Sequence, residues 1–202
     1  MKRKMKKKGE SEEKKDGKHE IITLAEEITS EINHVINAVD GKSVDEFADL
    51  LSKAKRIFVA GMGRSQLVGR MFAVRLLQME IETYVVGDPL TPAITKDDLL
   101  IAISGSGRTQ FPIYAVHESK KRGIPVVVIT AKKGSPITKN ADVVILLPTK
   151  TKYDLNKGSV NLPLGTMFEL ATAVFLDTFI TYVKDKLGVT EEDMLEHHSV
   201  IE

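Results

Sequence analysis

The chain of 202 residues contains no cysteine, which excludes disulfides, thiolate zinc sites and cysteine nucleophiles. Aromatic residues make up only 5%. No stretch interleaves them with basic residues, so nucleic acid is not expected as the main partner. No window approaches the roughly 18 apolar residues that a membrane span needs. No apolar segment follows the basic N-terminus as a secretory signal requires. A cytoplasmic protein without membrane attachment is therefore expected. What is present is ordinary for a globular chain: 42% hydrophobic and 28% charged residues, at a length that suits one domain with a real core.

The formal net charge of +1 is unevenly placed. Residues 1–18 hold nine Lys/Arg and four Asp/Glu, a net +5, which leaves −4 for the remainder. Almost nothing in Lys2–Lys18 could be buried, so residues 1–18 are expected to be a disordered basic extension. It reads as a solvated tail, or as the product of a start codon set too far upstream, with a nucleic-acid arm as the alternative. Residues 19–202 show no internal repeat or linker and read as one domain.

Apolar residues recur at Ile21, Leu24, Ile28, Ile32, Val35, Ile36 and Val39, the spacing of a helix with one buried face. Ser43 with Glu46 suggests a capping box for a second helix ending near Ala54. Strands and helices then alternate. Short, β-branched, apolar strands are expected at Arg56–Ala60, Thr83–Val86, Leu99–Ile103, Val126–Thr130 and Val143–Leu147. Helices are expected at Ser65–Met79, Gln110–Arg122, about Leu164–Leu187 and Thr190–Glu196. Strands that are almost wholly apolar belong in a parallel sheet covered on both faces. The expectation is an α/β three-layer sandwich with a five-stranded parallel sheet plus N-terminal and C-terminal helices.

Two loops leave strand ends: Gly61-Met62-Gly63-Arg64-Ser65 and Ser104-Gly105-Ser106-Gly107-Arg108-Thr109. In such a sheet, ligands gather at the carboxyl ends of the strands. The second loop lets backbone N–H groups and hydroxyls converge before a helix N-terminus, which makes a cradle for a phosphate. The plainer reading is a flexible Gly/Ser connection. A dinucleotide site fails on two counts, because Gln66 stands where the third glycine belongs and no acidic residue clearly ends the next strand.

Together with Thr91-Pro92-Ala93, these loops resemble the sugar isomerase (SIS) domain, which binds phosphosugars. Gly69–Leu76, Pro163-Leu164-Gly165-Thr166-Met167-Phe168-Glu169 and the ending Met194–Glu202 resemble segments of the 6-phospho-3-hexuloisomerases, the last two matching P-x-G-T-x-F-E and M-x-x-R-H-x-N-L-E. The likeness covers about residues 20–202 and implies a SIS-like, flavodoxin-type sheet. The sequence departs from the pattern at His197 and Val200, where Arg and Asn are usual, and at Arg108, where many relatives carry an acid.

The resemblance implies interconversion of D-arabino-hex-3-ulose 6-phosphate and fructose 6-phosphate through a cis-enediol, in formaldehyde fixation or release or in pentose phosphate supply. One carboxylate can carry the proton between neighbouring carbons, so neither cofactor nor metal is expected. Glu169, an acid among apolar neighbours near a helix start, is the candidate base; complementing the helix dipole is its plainer role. His198 is the candidate proton shuttle, with His197 as its alternative, although a histidine so near the C-terminus is ordinarily just solvated. Ser104, Ser106 and Thr109, with the N–H groups of Gly105 and Gly107, are expected to grip the phosphate. Arg64 is its charged partner, while Gly63, Ser65 and Thr91 line the sugar site and Ser65 doubles as a helix cap. The resemblance further implies a homotetramer with active sites shared through the tail. Two alternatives stand beside it: a non-catalytic phosphosugar-binding module, and an isomerase of the arabinose 5-phosphate type.

Overall fold

The computed structural model describes residues 19–154 and 162–198; the basic extension and the last four residues of the tail lie outside them. The elements follow in the order α1 (Glu20–Asn37), α2 (Gly41–Lys53), β1 (Ile57–Ala60), α3 (Arg64–Gln78), β2 (Thr83–Val85), β3 (Leu99–Ile103), α4 (Gln110–Lys121), β4 (Val126–Thr130), a 3-10 turn (Pro136–Asn140), β5 (Val143–Leu146), α5 (Thr166–Leu187) and α6 (Glu191–Glu196). The five strands are all parallel, in the order β2-β1-β3-β4-β5. The three-layer sandwich expected from the apolar strands is the observed architecture.

Strand side chains alternate between two cores, as the period of two requires. Ile57, Val59, Leu99, Ile101, Ile103, Val127, Ile129 and Ile145 pack with residues of α1, α2, α3 and α5. Phe58, Leu100, Val126 and Val128 pack with Val116 of α4 and Ile137 of the 3-10 turn. In the larger core Phe47 of α2 stacks on Phe179 of α5 with centroids 4.1 Å apart, and Phe72 of α3 tilts against both rings. These contacts fix α5 across the sheet.

Strand order decides where a ligand can sit. The crossover from β1 passes through α3 to β2 on one side, and that from β3 passes through α4 to β4 on the other. The two helices lie on opposite faces, so the chain opens a crevice beyond the carboxyl ends of β1 and β3, the topological switch point.

Several local expectations need correction. The cap of α2 is Asp40, whose carboxylate accepts from Ser43 N at 3.1 Å and Ser43 Oγ at 2.8 Å. Ser43 is therefore inside the helix, because the aspartate three residues before it already satisfies the free N–H. Likewise Ser65 is not a cap: α3 starts at Arg64, and its cap is Gly63 at a positive φ of 58°. Helix α5 overturns the reading that no segment is apolar enough to span a membrane. Its 22 residues pass that test by length and composition, because its Phe168, Ala171, Phe175, Leu176, Phe179, Ile180 face is buried in the core.

Candidate active site

A cavity of about 390 Å³ occupies the switch-point crevice. The loop after β1 supplies Met62 and the start of α3 supplies Arg64 and Ser65, the loop after β3 supplies Ser104, Gly105, Ser106 and Thr109, and the start of α5 supplies Gly165, Thr166 and Glu169. Three helices of 12 or more residues, α3, α4 and α5, begin at its walls. Their unsatisfied N–H groups and dipoles give the cavity a positive potential before any side-chain charge is counted.

The hydroxyl loop owes its shape to what packs behind it. A Cβ on Gly105 would lie 2.7 Å from the Phe168 ring, so the absence of a side chain lets α5 seat directly against the loop. Gly107 has φ of 61°, and a Cβ there would meet Ser135 Oγ at 2.1 Å. Ser104 Oγ and Thr109 Oγ1 are 3.4 Å apart, a slack contact, and the Thr109 side chain makes no capping bond to α4. These hydroxyls are turned to the cavity but not tightly engaged.

Seating Phe168 under Gly105 delivers Glu169 to the cavity. Its carboxylate, 14% exposed, pairs through Oε2 with Nε of Arg64. Among the described residues Oε1 has no hydrogen-bond partner. A long-range pair thus joins the first loop to α5 across the site, 105 positions apart in sequence.

Not every expected residue is here. Gly63 and Gly107 shape their loops without lining the cavity, and the Gly107 N–H is already donated to the Ser104 carbonyl at 3.0 Å. Of the two glycine N–H groups expected to meet a phosphate, only that of Gly105 remains. Thr91 lies elsewhere: its hydroxyl donates to the Val85 carbonyl at 2.7 Å, and the residue lines a separate apolar cavity against α4. His198 lines a further cavity of about 430 Å³ with Arg75, Gln78 and Asp177. That cavity sits at the opposite end of α3 and α5, about 20 Å from the rim by the rise of α3. Within one protomer His198 and Glu169 do not meet. His197 is occupied as well: its ring contacts the Asp193 carbonyl and the Glu80 carboxylate, both at 2.8 Å.

Thr151 and Lys152, which line the cavity from the segment after β5, were not expected. They follow the carboxyl end of a strand, and applying the strand-end rule to β5 as well would have found them.

A model of the SIS domain matches residues 50–174. The chain belongs to that family. It is 37% identical to the 3-hexulose-6-phosphate isomerase of Methylomonas aminofaciens over 175 residues, 87% of this chain and 96% of that protein. The enzyme of the same name from Bacillus subtilis is 34% identical over 178 residues, with 87% and 96% covered. Among solved structures, a Methanococcus jannaschii protein whose crystal structure was read as implying that same activity matches with a TM-score of 0.76 at 32% identity. The match covers 91% of this chain and all of that one. The SIS matches fall on the fold that carries the cavity, and the family boundaries enclose both Ser/Gly loops and Glu169.

Proposed function

We infer that this protein is a sugar-phosphate isomerase that interconverts D-arabino-hex-3-ulose 6-phosphate and fructose 6-phosphate. The observation that carries the reading is the placement of one carboxylate, Glu169, beside a hydroxyl loop at which three helix N-termini converge. Relatives that bear the name of this activity match nearly end to end.

Chemically, the phosphate rests on Ser104, Ser106, Thr109 and the Gly105 N–H, with Ser65 and Arg64 toward the sugar hydroxyls. Arg64 orients the Glu169 carboxylate through Oε2 and leaves Oε1 to take the proton from the carbon beside the carbonyl. The C–H electron pair becomes the C2=C3 double bond, and the carbonyl oxygen gains a proton. Collapse of the neighbouring enol returns the Glu169 proton to the adjacent carbon and moves the carbonyl one position. The oxygen-to-oxygen proton transfer needs a second group, and His198 is our candidate. Because His198 lies far from Glu169 in its own protomer, the role requires a neighbouring subunit's tail, and hence a homo-oligomer, which we take as a tetramer with shared sites. Residues 19–202 form its single domain, and we place it in the cytoplasm.

The test is exchange of the substrate's carbon-bound hydrogen with D2O during incubation with fructose 6-phosphate. Exchange should be lost in Glu169→Gln and persist with weakened binding in Ser104→Ala. Phosphorylated sugars should bind more tightly than their unphosphorylated counterparts. If the unaltered protein binds the sugar phosphate without exchange, it is a phosphosugar-binding module instead.

A further inference from the structure

Two cations meet on one aromatic ring, and one of them, Lys152, lines the cavity. The Arg108 guanidinium carbon lies 5.9 Å from the Tyr153 ring centroid, and the Lys152 ammonium 5.3 Å from it. Arg108 comes from the hydroxyl loop and Lys152 from the segment after β5, so the ring joins two walls of the site. The turn that carries Lys152 and Tyr153 is firmly built. Asp154 accepts from Thr151 N at 3.0 Å, Thr151 Oγ1 at 2.8 Å and Lys132 Nζ at 2.8 Å. Lys132 and the Thr151 donors hold the Asp154 carboxyl far below the usual range, so it stays charged and anchored.

The charge balance here is lopsided. Arg64 is matched by Glu169, and Lys132 by Asp154. Among the described residues, Arg108 and Lys152 have no carboxylate partner. Like charges drawn to one ring repel, and an anion between them converts that repulsion into attraction. The site therefore carries two uncommitted positive charges, one on the hydroxyl loop and one on the segment after β5.

We propose that Arg108, Lys152 and Tyr153 form a cationic rim that captures the phosphate of an incoming sugar phosphate and delivers it to the Ser104–Thr109 loop. The identity of the sugar rests on the isomerase reading above; the affinity for a dianion does not. Steering of this kind raises capture rates by roughly 10 to 10³ and fades as salt screens the charges.

The test compares the full chain with Arg108→Gln, Lys152→Gln and the double variant, using inorganic phosphate binding by calorimetry and kcat/KM for fructose 6-phosphate across a salt series. Phosphate affinity and low-salt kcat/KM are each expected to fall about tenfold in the double variant. The steep salt dependence of the wild type should flatten, and Arg108→Lys should restore it. Unchanged phosphate affinity and an unchanged salt slope in the double variant would overturn the rim, even with isomerisation intact. A wild type that binds no phosphate overturns it too. If the wild type turns nothing over yet binds phosphate through Arg108 and Lys152, the rim stands and the isomerase reading falls.

Discussion

The two ends of the sheet treat polar groups in opposite ways. At the amino ends of β1 and β3, Asp98 is 0% exposed and fully engaged. It accepts from Arg56 Nε at 2.9 Å, Arg56 Nη2 at 2.8 Å, Thr95 N at 2.7 Å and Thr95 Oγ1 at 2.9 Å. At the carboxyl ends, the Ser104 and Thr109 hydroxyls touch only at 3.4 Å, Oε1 of Glu169 has no partner among the described residues, and Arg108 and Lys152 lack counter-ions there. Buried polar groups are ordinarily satisfied within the protein. The rim instead lines a cavity with slackly engaged hydroxyls, one carboxylate oxygen without a partner among the described residues, and two exposed cations beside it, an arrangement that suits a ligand, whereas the base holds the fold together.

The sharpest way to break this contrast is to neutralise one group at each end. Glu169→Gln should lower kcat by about 10² to 10⁴, the usual worth of a general base, while the denaturation midpoint moves little. Asp98→Asn should do the reverse. It strands Arg56 in a half-buried position and should cost about 3–5 kcal/mol in urea unfolding, with kcat per folded molecule nearly unchanged. Burial raises the Asp98 carboxyl, but the Arg56 and Thr95 donors outweigh it and hold it below its ordinary value. Its stabilisation is therefore present above about pH 4 and is lost as pH falls further through the folded value. Asp98→Asn should remove that acid-side loss. Comparable effects of both substitutions on stability and on kcat would erase the distinction between the ends.

A second comparison can be sharpened inside the rim itself. Gly105→Ala pushes a methyl into the Phe168 ring, and overpacking of that kind costs about 1–3 kcal/mol. Because Phe168 precedes Glu169, the same change should also displace the base. A loss of kcat larger than the loss of phosphate affinity is expected, measured by turnover and calorimetry on one preparation. A pure stability effect with normal kcat would mean that the loop and α5 are not coupled.

How much of this was legible in the chain follows from the range of each interaction. The strands announce themselves by unbroken apolar runs, and Leu99–Ile103 and Val126–Thr130 are read to the residue because burial on both faces leaves no other pattern. Glu169 is visible as an acid in an apolar helix start. The residues misread depend on which nearby carbonyl a turn presents, or on distant partners. Thr91 looks available until the Val85 carbonyl claims its hydroxyl, and Gly107 looks like a donor until Ser104 takes its N–H. Lys152 is unremarkable as a sequence position. Its place after the carboxyl end of β5 is the one clue in the sequence, and the Lys132–Asp154 pair, 22 positions apart, fixes at the cavity the turn that carries it. The far placement of His198 depends on where α6 docks, which local periodicity cannot report.

Whether that docked tail serves the rim of another protomer is open to a direct experiment. If it does, the Glu169→Gln and His198→Gln proteins, each expected to be depressed in turnover, should regain activity when unfolded together and reassembled. A mixed oligomer then holds sites with one intact glutamate and one intact histidine. Absence of recovery, with mixed oligomers demonstrated, would confine His198 to the base of its own subunit.

The smallest expected effect concerns how that tail is held. The His197 ring bridges the Asp193 carbonyl and Glu80, and its pKa is raised, first by the Asp193 bond and then by the Glu80 charge, against the lowering effect of burial. A raised folded value means that the contact contributes fully below about pH 6.5 and fades as pH climbs through the folded value. Amide exchange in α6, corrected for intrinsic rates, should therefore quicken modestly between pH 6 and pH 9. Glu80→Gln should give the faster rate throughout, with the rim unaffected. Equal protection across that range would show that α6 is held by the apolar seat of Met194 against the core, and that the charge beside Glu80 is incidental to where His198 points.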